Sequence, residues 1–229
     1  MKGVILCGGT GTRLRPLTLV GNKHLLPIYD KPMILYPVET LKCMGVKDIL
    51  IISGGEHIGR FLEFLGDGSE YGVNFTYKVQ KEAGGIAQAL TLAEDFVGEQ
   101  FVVILGDNIF ESSVVPPKNC GIVLKEIKDP SRFGVYYDDK IIEKPKNPLS
   151  NLAVTGLYFY TPEIFSFIKQ LQPSARGELE ITDVNNWCLQ NLETEKIEYK
   201  GFWSDAGTFD SLLLTSNWVK DQKKEDNNL

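Results

Sequence analysis

The sequence contains few of the residues that metal–thiolate sites and histidine-assisted nucleophiles require. It has only two histidines, His24 and His57, and its four cysteines are scattered without a CxxC pair. Closely spaced cysteines and histidines are the usual sign of a zinc site. The sequence gives no such sign, and we expect the cysteines to be buried free thiols.

Long hydrophobic runs, Pro/Ser-rich linkers and internal repeats are also absent. No apolar stretch approaches the roughly 18 residues that a membrane span needs, and glycines follow the first short apolar run where a secretory signal would have its cleavage site. The 229 residues, of which 43% are hydrophobic, suffice for one core. We expect a soluble, cytoplasmic protein with one domain over residues 1–219 and a disordered tail over residues 220–229.

The chain lacks an excess of positive charge, but its charge is unevenly distributed. The net charge of −6 argues against a general affinity for nucleic acid or for anionic membranes. Residues 1–31, however, carry five basic side chains against one acidic side chain, a net charge of +4, which leaves −10 for the remainder. The N-terminal segment is therefore the place where an anionic ligand is expected.

The order of apolar and amphipathic segments predicts an α/β fold. Four apolar runs predict strands that are buried on both faces, at residues 3–7, 48–53, 75–79 and 101–106. Helical patterns lie between them, at residues 33–44, 57–65 and 85–97. Such alternation predicts a parallel, doubly wound sheet. Gly45 is expected to terminate the first of these helices.

The second half of the chain predicts strands that pair partly in antiparallel fashion. Strand-like segments cover residues 120–127, 133–144 and 154–160, with a hairpin turn at Asp138-Asp139. Helices are predicted at residues 162–170, 178–190 and 208–219, the last one capped by Thr208. The fold class is therefore a single-domain, Rossmann-like α/β fold with a mixed, mainly parallel sheet flanked by helices.

The segment "LCGGTGTRLRP", residues 6–16, follows the first strand and so lies at the ligand-binding end of such a sheet. Gly8, Gly9 and Gly11 allow backbone N–H groups to approach an anion closely. Neither familiar phosphate motif fits, because Leu14 occupies the third position of GxGxxG and no GxxxxGK[ST] exists. The loop is either a phosphate binder of another kind or a plain turn with two arginines.

Seven motifs in order connect the chain to a known family. They are "KGVILCGGTGTRLRPLT", "NKHLLPIYDKPMILYPVETL", "VILGDNIF", "EKP", "VTGLYFY", "SARGELEITDVN" and "WSDAGT". Together they resemble the glucose-1-phosphate thymidylyltransferases of the sugar-nucleotide nucleotidyltransferase superfamily. The resemblance implies the nucleotidyltransferase fold, and a reaction in which a sugar 1-phosphate attacks the α-phosphorus of dTTP and pyrophosphate leaves.

The resemblance assigns one group of residues to the nucleotide and a cofactor. Arg13 and Lys23 would neutralise the phosphates and the departing pyrophosphate, while Asp107 in "LGDN" and Asp205 in "WSDAGT" would hold Mg²⁺. Asp67 in "LGDG" is interpreted as a turn residue. Nucleotide contacts are implied for Leu6, Gly8, Gly9, Gly11, Thr12, Arg13, Asp107, Gln80 as the reader of the base, and Gly85.

A second group is assigned to the sugar phosphate. Glu143 would bind sugar hydroxyls, and Lys144 and Arg176 would bind the 1-phosphate. Without the family, Glu143 and Lys144 are better interpreted as a solvated ion pair. Backbone groups at Gly134, Thr155 and Gly156 are expected to complete the hexose pocket. No serine–histidine or cysteine–histidine pair is needed, because the attacking phosphate is already ionised.

Several alternatives remain open at this stage. A uridylyltransferase would read the same pyrimidine edge, and another sugar-1-phosphate nucleotidyltransferase is a further alternative. A glycosyltransferase that consumes nucleotide sugars, or a non-catalytic sensor of them, would belong to a different class. Many family members continue into a C-terminal helical segment, which makes this chain resemble the short members. We expect a homo-oligomer, and we expect Cys7, where alanine is common, to lie beside the nucleotide.

Overall fold

The backbone forms thirteen strands within the residues that the structure describes. This computed structural model describes the backbone of residues 1–226 and the side chains of residues 1–224. The strands are β1 (Lys2–Cys7), β2 (Pro27–Ile28), β3 (Lys31–Pro32), β4 (Asp48–Gly54), β5 (Asn74–Gln80), β6 (Phe101–Leu105), β7 (Asn108–Phe110), β8 (Cys120–Glu126), β9 (Gly134–Tyr137), β10 (Lys140–Glu143), β11 (Leu152–Tyr160), β12 (Thr194–Glu198) and β13 (Trp203–Asp205).

Nine of these strands build the central sheet. Its spatial order is β10-β9-β11-β6-β1-β4-β5, with β8 paired to β11 and β12 paired to β8. β1 pairs in parallel with β4 and β6, and β4 pairs in parallel with β5. β11 is antiparallel to β6, β8 and β9. The prediction of a mixed sheet with antiparallel pairing in the second half is confirmed.

Six α-helices of residues 1–226 flank the sheet. They are α1 (Leu35–Cys43), α2 (Gly55–Leu65), α3 (Ile86–Thr91), α4 (Glu163–Ile168), α5 (Ile181–Asn191) and α6 (Phe209–Asp226). No helix in the part of the chain that the structure describes is long and apolar enough to cross a membrane.

Two hydrophobic clusters cover the two faces of the sheet. Because successive strand residues point to opposite faces, β1 sends Val4 and Leu6 to the cluster that includes α3, α4 and α5. Ile5 and Cys7 point to the cluster that includes α1 and α2. Burial on both faces is thus confirmed for β1, but it is wrong for β5. That strand is at the edge of the sheet and exposes Asn74, Thr76 and Val79.

Local signals in the sequence identified two helix ends correctly. Gly45 adopts a φ of +77° directly after α1, and the N–H of Val46 returns to the carbonyl of Leu41, as in a glycine-terminated helix. At the start of α6, the Thr208 hydroxyl oxygen accepts the N–H of Ser211 at 3.2 Å. Thr208 therefore caps α6 as predicted.

Two helix predictions need correction. The helix predicted over residues 85–97 ends at Thr91, whose hydroxyl donates to the carbonyl of Gln88 at 2.7 Å and thereby competes with helical bonding. Turns follow it, although Ala93 stays buried. The disordered tail predicted from residue 220 is instead helical to Asp226. Residues 227–229 lie outside the described residues.

A two-stranded ribbon outside the main sheet was not predicted, and it positions the site. β7 and β13 pair in antiparallel fashion, with Asp205 opposite Asn108 and Ser204 opposite Ile109. The N–H of Ala206 also donates to the carbonyl of Asp107 at 2.9 Å. Two residues 99 positions apart in the chain, Asp107 and Ala206, are therefore hydrogen-bonded neighbours at the end of β6.

Candidate active site

One large cavity opens at the carboxyl ends of β1 and β6. Its volume is about 850 Å³, which is large enough for two small-molecule substrates. Every residue that the sequence analysis assigned to the site lines this cavity. These residues are Leu6, Gly8, Gly9, Gly11, Thr12, Arg13, Lys23, Gln80, Gly85, Asp107, Gly134, Glu143, Lys144, Thr155, Gly156, Arg176 and Asp205.

The glycine-rich loop after β1 forms one wall of the cavity. Gly11 has a φ of +61°, and a Cβ there would lie 2.8 Å from the Thr18 side chain, so this position requires glycine. A Cβ at Gly8 would lie 2.9 Å from Oε1 of Gln80. Leu14 is fully buried and anchors the loop through a short 3₁₀ turn. Buried Leu14 and the close approaches at Gly8 and Gly11 therefore fix the conformation of the loop.

Arg13 extends from this loop over the β13 end of the cavity. Its guanidinium lies 3.0 Å from the position that a Cβ on Gly207 would occupy. Among the side chains of residues 1–224, none forms an ion pair with Arg13. This exposed guanidinium is therefore free to bind an anion in the cavity.

Lys23 and Asp107 form an ion pair in the middle of the cavity wall. The side chains are 14% and 11% exposed, so water screens the pair only weakly. Burial alone would raise the pKa of Asp107, but the charges of Lys23 and His24, together with hydrogen bonds from Lys23 and Asn108, outweigh this effect. The pKa of Asp107 consequently lies well below its usual range, and its carboxylate is ionised at neutral pH.

Asp205 lies next to Asp107 because β13 pairs with β7. Its carboxylate accepts a hydrogen bond from Arg132 at 2.7 Å. Burial raises the pKa of Asp205; the Arg132 charge opposes this effect, and the nearby Asp107 adds to it. The negative charge of Asp107 thus contributes to the raised pKa of Asp205, as expected for two neighbouring carboxylates that could share a cation.

The pair of carboxylates fits a magnesium site that substrate completes. No cluster of three or more acidic, histidine or cysteine ligands exists in the described part of the chain. Mg²⁺ usually takes only one or two protein carboxylates and fills its other positions with water and substrate phosphates. Asp107 and Asp205 at the cavity wall have the donor chemistry for that arrangement.

Gln80 packs against the glycine-rich loop at Gly8. It ends β5 and is 8% exposed. Its Nε2 donates to Oε1 of Gln88 at 2.7 Å and to the carbonyl of Gly85 at 3.3 Å. The amide orientation is therefore fixed, with Oε1 directed toward Gly8. Gln88 was not identified from the sequence as the residue that fixes it.

A cluster of charged residues forms the other end of the cavity. The Glu143 carboxylate accepts from the Thr182 hydroxyl at 2.5 Å and lies 3.1 Å from Lys144 Nζ and 3.3 Å from Arg176. Arg176 also makes two hydrogen bonds to Glu180, at 3.1 and 2.7 Å. The two predicted phosphate-binding cations are thus paired with carboxylates in this structure, and both are half-exposed.

Three predicted backbone contacts lie between these ends. Gly134 is opposite Glu143 in the β9–β10 hairpin. The Thr155 hydroxyl donates to the carbonyl of Val123 at 2.9 Å, so that its side chain is directed into the sheet. The Gly156 N–H donates to Asn108 Oδ1 at 2.9 Å. The Gly156 N–H is consequently occupied within the protein.

Two further observations concern residues that the sequence analysis misjudged. Cys7 is fully buried, its sulfur packs 2.8 Å from the position of a Cβ on Gly106, and burial raises the pKa of its thiol. Its side chain points to the hydrophobic cluster that includes α1 and α2, and it does not line the cavity. Arg132, Asn108 and Trp203 line the cavity but were not predicted. Asn108 and Trp203 lie within the motifs "VILGDNIF" and "WSDAGT", whereas Arg132 lies outside all seven motifs.

Comparisons with known proteins identify the family. The nucleotidyl transferase family matches residues 2–222. Glucose-1-phosphate thymidylyltransferase of Neisseria meningitidis is 43% identical over 96% of this chain and 83% of its own. The enzyme of that name from Mycolicibacterium smegmatis is 42% identical, over 96% and 82%.

Solved structures agree with this result. A structure described as a candidate glucose-1-phosphate thymidylyltransferase from Bacillus anthracis, in complex with sucrose, is 51% identical and has a TM-score of 0.90 over 96% of each chain. A UDP-glucose pyrophosphorylase in complex with UDP-glucose is 26% identical, with a TM-score of 0.84 over 96% of this chain and 98% of its own. Its family match, its relatives and its fold show that the chain belongs to the nucleotidyl transferase family and, within it, to the glucose-1-phosphate thymidylyltransferases.

Proposed function

We propose that this protein transfers the thymidylyl group of dTTP to glucose 1-phosphate with Mg²⁺, giving dTDP-glucose and pyrophosphate. The observation that carries the proposal is a single cavity in which each end has its own charged side chains. Arg13, Lys23 and Asp107 line one end, and Glu143 and Lys144 line the other. Two polyanions that react with each other need this separation, since each requires its own cations.

In this reaction the protein mainly has to position the two substrates and to neutralise their negative charge. An oxygen of the sugar phosphate forms a bond to the α-phosphorus of dTTP, and the bond to the bridging oxygen breaks. Pyrophosphate departs with that electron pair. The nucleophile is already ionised, so no general base is needed, and catalysis depends on alignment and on stabilised charge.

At the nucleotide end, the free Arg13 guanidinium would bind the β- and γ-phosphates as they become pyrophosphate. Lys23 would remain between those phosphates and Asp107. Asp107 and Asp205 would hold Mg²⁺, which supplies positive charge to the phosphate oxygens when bound. The Oε1 atom of Gln80 is an acceptor that suits the ring N–H of thymine or uracil, since its Nε2 is already occupied.

At the sugar end, Glu143 would accept hydrogen bonds from hexose hydroxyls, and Lys144 and Arg176 would bind the 1-phosphate. The Arg176 contacts with Glu180 keep this guanidinium at the cavity rim. We also propose that the protein acts in the cytoplasm as a homo-oligomer. Light scattering coupled to size-exclusion chromatography measures the oligomeric state.

Replacing Lys144 by methionine is expected to weaken sugar-phosphate use selectively. The substitution keeps the aliphatic stem and removes one charge-assisted contact to the 1-phosphate. The KM for glucose 1-phosphate should rise by roughly tenfold to a hundred-and-fifty-fold, while the KM for dTTP stays unchanged. Steady-state kinetics with each substrate varied in turn measure this effect.

Lys140→Met is the matched control, because Lys140 lies on the same hairpin but does not line the cavity. It should leave both KM values unchanged. An equal rise in both KM values for Lys144→Met would contradict the assignment of Lys144 to the sugar phosphate.

A matrix of nucleotides against sugar 1-phosphates tests the proposed function itself. The assay measures kcat/KM for dTTP and UTP with glucose 1-phosphate and with other hexose 1-phosphates, and mass spectrometry identifies the product. We expect the highest value for dTTP with glucose 1-phosphate.

A uridylyltransferase is the second candidate, because a UDP-glucose pyrophosphorylase shares the fold and the same base edge is read. A higher kcat/KM with UTP would favour it. Transfer of glucose from a nucleotide sugar to an acceptor, without pyrophosphate, would overturn both.

A further inference from the structure

Asn108 contacts three separate parts of the cavity wall. It follows Asp107 at the start of β7 and is 3% exposed. Its Nδ2 donates to Oδ1 of Asp107 at 3.0 Å. Its Oδ1 accepts the N–H of Gly156 at 2.9 Å and the indole N–H of Trp203 at 2.8 Å. One amide group therefore connects β7 with β11 and β13.

The contacts use the particular chemistry of an amide. A single planar group supplies a donor on one side and an oxygen with two lone pairs on the other. An aspartate at this position would lack the donor and would place a second negative charge beside Asp107. The fit is also tight, because a Cβ on Gly156 would lie 2.7 Å from the Asn108 amide.

Each of the three partners belongs to a different part of the proposed site. Asp107 also accepts from Lys23 through its other oxygen, Oδ2, so the two bonds together fix its carboxylate. Gly156 lies in the stretch of β11 where the register with β8 shifts between Val154 and Tyr158, and where regular pairing does not hold the backbone. Trp203 begins β13, which ends with Asp205.

We propose that Asn108 is a positioning residue that fixes the Asp107 carboxylate, the hexose-side backbone at Gly156 and β13 in one mutual geometry. This inference rests on the proposed function. The oxygen of Asn108 is occupied by two donors of the protein, so the residue acts through Asp107 and Gly156. The free energy that it contributes to binding and turnover is therefore expected to divide between the two substrate pockets.

Two substitutions separate these contributions. Asn108→Asp keeps the acceptor for Gly156 and Trp203 but removes the donor to Asp107. It should lower kcat by about 10- to 100-fold, as is usual for a group that orients a metal-binding carboxylate, with the KM for glucose 1-phosphate unchanged. Asn108→Leu removes all three bonds and should also raise the KM for glucose 1-phosphate.

Asn186→Asp is the matched control. Asn186 bridges the N–H and carbonyl of Ile141 at 2.8 and 2.9 Å, but it does not line the cavity. The Asn186→Asp substitution should alter the melting temperature and leave kcat and both KM values unchanged. Wild-type kcat and KM values for both Asn108 variants, with only a lower melting temperature, would overturn the positioning role. An inactive wild type in the same assay would contradict the proposed function instead.

Discussion

Asp107→Asn is expected to lower kcat by about 10²- to 10³-fold, the usual loss when one preorganised electrostatic group is removed from an active site. The Asp107→Asn side chain keeps the shape of the carboxylate but cannot carry its charge. Asp107 pairs with the weakly exposed Lys23 and lies beside Asp205. Its replacement removes both the proposed magnesium ligand and the partner of Lys23. Turnover per folded molecule, with folding checked by circular dichroism, measures the effect.

Asp67→Asn is the matched control for this experiment. The segments "LGDG" and "LGDN" look alike in the sequence, but Asp67 caps an exposed turn, where it accepts the N–H of Ser69 at 2.9 Å. This control should keep the wild-type rate. A wild-type rate for Asp107→Asn would contradict the assignment of this carboxylate to the metal.

Arg13→Ala is the substitution with the next largest expected effect. Its guanidinium borders the cavity without an ion-pair partner among the described side chains, so it is available to bind the phosphates of dTTP. Because the charge on the departing pyrophosphate grows in the transition state, kcat should fall by about 10²- to 10³-fold. Single-turnover measurements of pyrophosphate release follow the affected step.

Arg15→Ala serves as the control from the same loop. Arg15 is exposed and does not line the cavity, although only one residue separates it from Arg13. Its removal should leave kcat unchanged. Equal losses for the two variants would indicate a general effect of loop charge and would contradict a specific role for Arg13.

The sequence predicted the regular part of the fold because that part has a strong period. β1, β4 and β6 are continuous apolar runs that alternate with helical segments, and this pattern is typical of a parallel α/β sheet. β7 and β13 have only three residues each, too few to show a period. Their pairing depends on contacts between residues that are distant in the chain, which no local signal encodes.

In the candidate site, too, the residues within motifs could be predicted, but the contacts between distant residues could not. Arg13, Lys23 and Asp107 were recognisable within contiguous motifs, but the ion pair between Lys23 and Asp107 was not, since it joins the second motif to the third. Likewise, Arg176 was predicted to bind the 1-phosphate, but its position between Glu143 and Glu180 was not predicted. Sequence motifs thus named the charged residues of the cavity, and the fold determined which of them pair.

The most direct test of the central claim is pyrophosphate release by the wild-type protein with Mg²⁺ and with both substrates or either one alone. Direct attack by the sugar phosphate predicts continuous release with dTTP and glucose 1-phosphate together, and no release with either alone. Release from dTTP without glucose 1-phosphate, at a rate comparable to that with both, would contradict the account.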